Sequence, residues 1–439
     1  MREMKDSGIP WIGEIPKDWE THRLKSVFSS RVSGEWGDDA KCDAYDKVCL
    51  RIADFDYKRL RFKQCESYTI RNYSKSDDAL PYLHKGDILI EKSGGGEKTP
   101  VGRAVVYDLD FDKAMYANFM TRLRVKPNTN SWFVEYLLST LYSYGALNIY
   151  IKQTTGIQNL DITTMLEEEK IFLPSLAEQQ RIAEFLDRKC AEVDEMIGLQ
   201  EQIIEELKAY KQSVITEAVT KGLNPDAPMR DSGIEWIGEI PEHWEVKRLK
   251  NVVDLNPTFN AQIEQDTLVA YMPMECLRNG IIQERIAPYS EVASYTPFKD
   301  GDVVMAKVTP CFENGNIAVA TNLQGGYGFG TSEIFVIRCG KEAHNKYAFY
   351  YLQSAYIKNL GVSSMTGTGG LKRVNPTILN NSYFLSPSVA EQQAIADYLD
   401  EKCADIDRLI QTKQSKIDSL KEYKKSIIYE YVTGKREVE

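Results

Sequence analysis

Beginning at Ile182, the seam positions fall almost strictly at alternating intervals of four and three: Ile182, Leu186, Cys190, Val193, Ile197, Gln200, Ile204, Leu207, Lys211, Val214 and Ala218. The pattern returns from Ile395 through Leu399, Cys403, Ile406, Ile410, Lys413, Ile417, Leu420, Lys424 and Ile427 to Tyr431. A 3.5-residue apolar period held over this length predicts a coiled-coil seam, in which occasional polar residues fix the register. Ser175-Leu176-Ala177-Glu178 after Pro174 reads as a capping box, in which the hydroxyl oxygen accepts a backbone N–H and the glutamate reaches back. Ser388-Val389-Ala390-Glu391 after Pro387 repeats it, and Gly222 followed by Pro225 stops the first helix. A helix of about 43 residues would be roughly 65 Å long.

These helices are part of a longer repeat. Residues 6–25 (DSGIPWIGEIPKDWETHRLK) match 231–250 (DSGIEWIGEIPEHWEVKRLK) at 15 of 20 positions, and 174–197 match 387–410 at 15 of 24. The chain is a tandem duplication of one unit: opening block, variable stretch, helix. The variable stretches run from Ser26 to Leu173 and from Asn251 to Ser386, and only echoes survive in them. Lys85-Gly86-Asp87-Ile88-Leu89-Ile90 parallels Asp300-Gly301-Asp302-Val303-Val304-Met305, a turn feeding an apolar strand. Arg122-Leu123-Arg124-Val125 faces Phe335-Val336-Ile337-Arg338, and Gly156 to Leu160 faces Gly370 to Val374.

The duplication implies an α+β protein of two homologous domains and two long helices. The economical partner for each helix is the other, as an intramolecular antiparallel pair with a pseudo-twofold axis. Packing of each helix on its own domain, or dimerisation, are the alternatives. Because the order is cyclic, the two ends should lie near each other, with the first twenty residues beside the end of the second helix, and circular permutation should be tolerated. The block Trp11–Pro16, its copy Trp236–Pro241, and Trp19 and Trp244 read as plugs against the helix ends or as partner-docking patches.

At roughly 100–200 residues per domain, 439 residues allow two to four domains, and 43% hydrophobic with 27% charged residues suits a soluble globular protein. No run of eighteen apolar residues occurs, which argues against a membrane span, and the first residues lack the apolar core of a secretory signal. Eight scattered cysteines without a C-x-x-C pair read as reduced, mostly buried cytosolic thiols, with no metal site.

A net charge of −10 argues at first against nucleic acid. The distribution changes that reading. Residues 21–173 carry 22 basic and 21 acidic side chains and 246–386 carry 13 and 11, so the remainder, at −13, supplies the whole deficit.

Candidate chemistry is sparse. Ser93-Gly94-Gly95-Gly96-Glu97-Lys98-Thr99 has Glu97 where a phosphate-binding loop needs glycine, so it serves close backbone approach to DNA or a plain turn. No methyltransferase D/N-P-P-Y/F motif occurs, and acidic-x-Lys fragments such as Asp56-Tyr57-Lys58 are expected by chance. The chain is expected to make and break no bonds itself.

The variable stretches do carry basic and amide residues suited to reading bases, Arg and Lys on guanine and Asn and Gln on adenine. In the first they are Lys92, Lys98, Arg103, Gln158 and Asn159, with Ser93, Gly94, Gly95, Gly96 and Thr99 completing the candidate DNA-binding loop around Lys98. In the second they are Lys307, Thr309, Asn314, Asn316, Lys372 and Arg373.

The duplicated blocks D-S-G-I-x-W-I-G-E-I-P-x-x-W-E-x-x-R-L-K and P-S-x-A-E-Q-Q-x-I-A-x-x-L-D, in alternating order over the whole chain, resemble the DNA-specificity subunits of type I restriction–modification systems. The resemblance implies residues 1–20 as an N-terminal opening segment, 21–173 as target-recognition domain 1, 174–222 as a helical spacer, 223–245 as a linker with the repeated block, 246–386 as target-recognition domain 2, and 387–439 as the second spacer. It implies that each variable domain reads one half of a bipartite, asymmetric sequence in double-stranded DNA, with the helices setting the gap. It implies two methylation subunits and two restriction (translocase–nuclease) subunits as partners, in the cytoplasm. S-adenosylmethionine, ATP and Mg would be bound by those partners and no cofactor by this chain. A coiled-coil adaptor whose variable domains bind proteins is the alternative.

Overall fold

The computed structural model describes residues 2–74, 80–154, 156–235, 237–368 and 370–438. The chain divides into two compact units, Met1–Glu201 with Gln414–Glu439, and Gln202–Lys413. Both long helices, Leu176–Lys221 and Val389–Val432, contribute to each unit. Among the described residues no helix is long and apolar enough to cross a membrane.

The first unit is organised by the strand Ile88–Glu91. It lies inside an antiparallel sheet in the order Ala104–Val106, Ile88–Glu91, Met120–Val125, Phe28–Ser33. Its run Ile88-Leu89-Ile90 is wholly apolar because both faces of the sheet are covered. Ile88 and Ile90 point into a core shared with the helix Ser131–Ser143, while Leu89 points into a second core with Cys49, Leu50 and Met115. That second core lies under another sheet, in which Asp46–Leu50 pairs parallel with Ala114–Tyr116 and antiparallel with Ile70–Asn72.

The second unit repeats this plan. Ile317–Val319, Val303–Ala306, Ile334–Cys339 and Val253–Leu255 form the antiparallel sheet, and Leu268–Met272 pairs parallel with Tyr327–Gly330 and antiparallel with Arg285–Pro288. Val303 and Met305 enter one core, Val304 and Ala306 the other.

The turn before each central strand is built alike. Asp87 accepts the His84 N–H (2.8 Å) and pairs with Arg124 (2.7 Å). Asp302 accepts the Lys299 N–H (2.9 Å) and pairs with Arg338 (2.7 Å). These ion pairs correct the sequence alignment by one residue: Arg124, not Val125, is the counterpart of Arg338. The shift was invisible in sequence because Phe335-Val336-Ile337 is apolar at every position and offers no alternation to fix a one-residue register.

The long helices run antiparallel within each unit. In the first, the Phe185 and Tyr431 rings lie 4.4 Å apart and Asp194 meets Lys424; in the second, Lys211 meets Asp407. Ile182, Leu186, Val193, Ile197, Ile204, Val214, Ile395, Leu399, Ile406, Ile417 and Ile427 are buried, and Leu207, Ile410 and Leu420 half-buried.

The helix starts depart from the capping-box expectation. Ser175 Oγ and Ser388 Oγ accept the N–H groups of Glu178 and Glu391 (both 3.3 Å), yet neither glutamate reaches back. Glu178 binds Arg2 (2.5 Å), and Glu391 accepts from the Trp244 indole (3.0 Å) and contacts His243 (2.9 Å). Each carboxylate is drawn to an opening block whose charged and aromatic donors are stronger partners than a backbone amide. The opening block packs on the helices: Ile12, Ile15 and Trp19 share a core with Ile182, Ile427 and Tyr431, and Ile240 and Trp244 share one with Val214 and Leu399. Trp236 of the second block lies outside the described residues.

Gly434 ends the second helix at positive φ, where an added Cβ would stand 2.4 Å from the Pro16 ring. Only glycine fits this meeting of helix end and opening block. The Arg2 Nε lies 3.8 Å from Glu437, so the two ends of the described chain are neighbours.

Candidate nucleic-acid interface

Beyond each central strand the chain continues into the residues expected to face DNA. In the first unit Lys92, Ser93 and Gly94 follow Glu91, and Ser93-Gly94 pairs antiparallel with Asn159-Gln158. The Leu160 N–H reaches the Lys92 carbonyl at 2.9 Å. In the second unit Lys307, Val308 and Thr309 follow Ala306, with a bridge from Val308 to Arg373 and the Val374 N–H 2.8 Å from the Lys307 carbonyl. The glycine run and the distant Gln158-Asn159 segment therefore meet, as do Lys307–Thr309 and Lys372-Arg373.

Within these surfaces the side chains divide. Lys98, Thr99, Gly95, Asn159, Asn314, Lys372 and Arg373 are exposed, and Lys92, Gly94, Gly96, Arg103, Lys307 and Thr309 are half-buried. Ser93, Gln158 and Asn316 are buried, so the structure corrects the expectation that they lie on an open surface. The cause is pairing. Ser93 Oγ donates to Asn159 Oδ1 (2.6 Å), and Gln158 Oε1 accepts the Val101 N–H (3.2 Å). Asn316 backbone is hydrogen-bonded to Ala306 and Cys311 (2.9 and 3.0 Å).

The two arginines named as readers are both braced. Arg103 donates through Nε and Nη2 to Glu91 (3.0 and 2.7 Å), with its guanidinium 3.7 Å from the Tyr57 ring centroid. Glu91 is buried and also accepts from the Tyr57 hydroxyl. Burial, followed by this carboxylate, pushes the Tyr57 phenol well up. Arg373 forks onto Glu333 (2.8 and 2.9 Å), which holds the Glu333 carboxyl below its usual range. Such pairs fix a guanidinium in place with one amino group still available, which suits presentation of a rigid donor. Thr309 Oγ1 ties the facing loop, donating to the Gly370 carbonyl and accepting the Lys372 N–H (both 2.9 Å).

Sequence reading did not single out Glu91, Tyr57 or Glu333. A carboxylate closing the apolar run Ile88-Leu89-Ile90 was the one available signal, since a buried charge needs a partner. Among the described residues no cluster of three or more His, Cys, Asp or Glu could hold a metal. All eight cysteines are free thiols, with Cys42 and Cys65 exposed.

Comparison with known proteins agrees with this architecture. The family model for the type I restriction modification DNA specificity domain matches residues 16–209 and again 241–422. The putative type I restriction enzyme MjaX specificity subunit of Methanocaldococcus jannaschii is 28% identical over 97% of this chain and 95% of its own length. The type I restriction enzyme EcoEI specificity subunit of Escherichia coli is 30% identical over 50% of this chain, a match spanning 37% of that relative. Among solved structures, a chain from work on assembly and conformational transition of the type I R-M system superposes with a TM-score of 0.69 at 16% identity, over 95% of this chain and 98% of that one. The HsdS subunit of Thermoanaerobacter tengcongensis gives 0.51 at 18% identity, over 96% and 98%.

Proposed function

Because the chain belongs to the type I restriction–modification DNA specificity family, recognising DNA through its two variable domains, we propose that each unit reads one half of a bipartite, asymmetric DNA target. The observation that carries this reading is the duplicated frame with different side chains at equivalent places. The segment after the central strand offers Lys92, Lys98 and a glycine run in one unit, and in the other Lys307, joined by Lys372 and Arg373 from the segment bridged to it. One backbone plan with two unlike sets of donors suits two unlike half-sites.

The long helices carry the gap between the half-sites and the docking of methylation subunits. Catalysis belongs to partners: two methylation subunits that bind S-adenosylmethionine and transfer its methyl group to adenine N6, and two restriction subunits supplying ATP- and Mg-dependent translocation and cleavage. Dividing reading from chemistry is workable because a methyltransferase extrudes its target base from the duplex. The acidic frame leaves this chain weak in phosphate contacts, so tight binding depends on the partners' charge.

The test is to map N6-methyladenine in host DNA with and without this chain. A gapped motif that disappears with the chain is the expected result. An unchanged methylation map would overturn the reading and favour the adaptor alternative.

A further inference from the structure

We propose that the first unit reads a thymine through its 5-methyl group, in an aromatic pocket formed by Trp36 and Phe119 beside the segment Lys92–Gly94. This rests on the DNA-reading function above and names one element of its specificity.

The pocket adjoins the reader segment through the backbone. The Phe119 carbonyl accepts the N–H groups of Lys92 (2.8 Å) and Ser93 (3.3 Å), so Phe119 sits at the edge of the candidate interface. A cavity of about 430 Å³ opens there, lined by Trp36, Ile52, Ala53 and Phe119, with Arg51 and Asn118 as its polar members. Phe119 is 49% exposed and Trp36 37%. Two large aromatic side chains left in water around one concavity mark a place where apolar surface is buried on binding.

The walls are built rather than loose. The N–H groups of Gly34 and Glu35 bond to the carbonyls of Met120 (3.0 Å) and Tyr116 (2.9 Å), clasping the segment before Trp36 to the segment that carries Phe119. An added Cβ on Gly34 would stand 2.1 Å from the Ala117 carbonyl oxygen, so this close approach requires glycine. On the ring of Trp36 lies the Arg71 guanidinium, 4.7 Å from its centroid, with Nε also donating to the Trp36 carbonyl (3.2 Å).

What fits an apolar pocket at a DNA-reading edge is narrow. The thymine 5-methyl is the apolar group that base pairs display in the major groove. A half-open cavity of this volume leaves room for a methyl group on its apolar wall, and Arg51 and Asn118 can donate to the neighbouring O4 or a phosphate.

The second unit supplies an internal contrast. The Lys307 N–H reaches the Glu333 carbonyl at 3.0 Å, which makes Glu333 the positional counterpart of Phe119. There the side chain braces Arg373 instead of lining an aromatic wall. At one register, then, one unit presents apolar surface and the other a guanidinium, which are different chemistries of base recognition.

The experiment uses the complex assembled with its methylation subunits and duplexes carrying its mapped target. Each thymine of the half-site read by the first unit is replaced in turn by deoxyuridine, which lacks only the methyl group. At one position, binding by the unaltered complex should weaken roughly three- to tenfold. Phe119→Ala should lose sensitivity to that replacement, Phe119→Leu should retain part of it, and the other half-site should be read unchanged by both, which also shows that they fold. If no deoxyuridine position in that half-site matters, or Phe119→Ala keeps full sensitivity, the pocket assignment is overturned while the specificity role stands. A complex that modifies no gapped motif at all would overturn both.

Discussion

Lys424 on the second long helix holds Asp194 on the first at 2.7 Å, with only 13% and 19% of the two side chains exposed. The same ammonium donates to the Lys58 carbonyl at 2.6 Å. Its counterpart Lys211 meets Asp407 at the same 2.7 Å, but there the carboxylate is 56% exposed. One seam position thus carries a sheltered ion pair in the first unit and a solvated one in the second.

Lys424→Ala strands a sheltered carboxylate and a carbonyl, and should destabilise the chain by about 2 kcal/mol. Lys211→Ala leaves a carboxylate that water can reach and should cost under about 1 kcal/mol. Denaturant unfolding of both variants checks the order; equal losses would show that burial does not separate the pairs.

Glu135 is wholly buried, and neither carboxylate oxygen has a hydrogen-bond partner. Burial raises its pKa well above the usual carboxylate value, against the opposing pull of Arg61 and Lys424 and with help from Asp187. The folded state therefore keeps a proton that the unfolded chain releases, so stability falls as pH rises above the unfolded value of roughly 4.5. Glu135→Gln should flatten this dependence. Melting curves from pH 4.5 to 8 should show a stability advantage for the variant that grows with pH, and a constant difference would count against the buried acid. The second unit has Phe349 at the equivalent place, one residue before Tyr350, which bonds Asp400 as Tyr136 bonds Asp187.

Lys98 and Lys372 are exposed on the two reader segments. As phosphate contacts they should act through charge alone. Lys98→Ala or Lys372→Ala should weaken binding of the assembled complex to its target about fivefold, and each should lower the salt dependence by about one counterion. An unchanged salt slope would remove that lysine from the interface.

The Arg2–Glu437 contact and the reach of Lys435 Nζ to the Glu14 carbonyl (3.2 Å) keep the two ends adjacent. A permutant with these ends joined by a short linker and opened at Leu223–Asn224 should fold, with a melting temperature within a few degrees of the parent. Failure to fold would mean that continuity between the first helix and the second opening block is required.

The seam of the long helices was legible because it is a local periodicity. Ile182 to Val214 and Ile395 to Ile427 repeat at the helical period, and a period of 3.5 specifies a buried stripe whatever else the chain does. The duplicated blocks were equally plain, since similarity between two stretches needs no knowledge of contacts. The apolar strands were visible for the same reason, as was the turn before each, where Asp87 and Asp302 stand at matching positions.

Partner choice was not legible. Glu178 and Glu391 have capping-box spacing, yet their carboxylates answer Arg2 and Trp244, which long-range packing brings to the helix ends. Gln158 and Ser93 have the chemistry of DNA readers, but strand pairing between residues more than sixty positions apart turns them inward. Nothing in the sequence around Phe119 or Trp36 marks either residue, and only the approach of Gly34 to Ala117 places both at one exposed rim. The sequence by itself determined the repeated frame, because periodicity and duplication are properties of the chain. Tertiary structure alone decided which polar groups are spent on one another and which remain to meet a ligand, because hydrogen bonds and ion pairs form between whatever neighbours the folded backbone supplies.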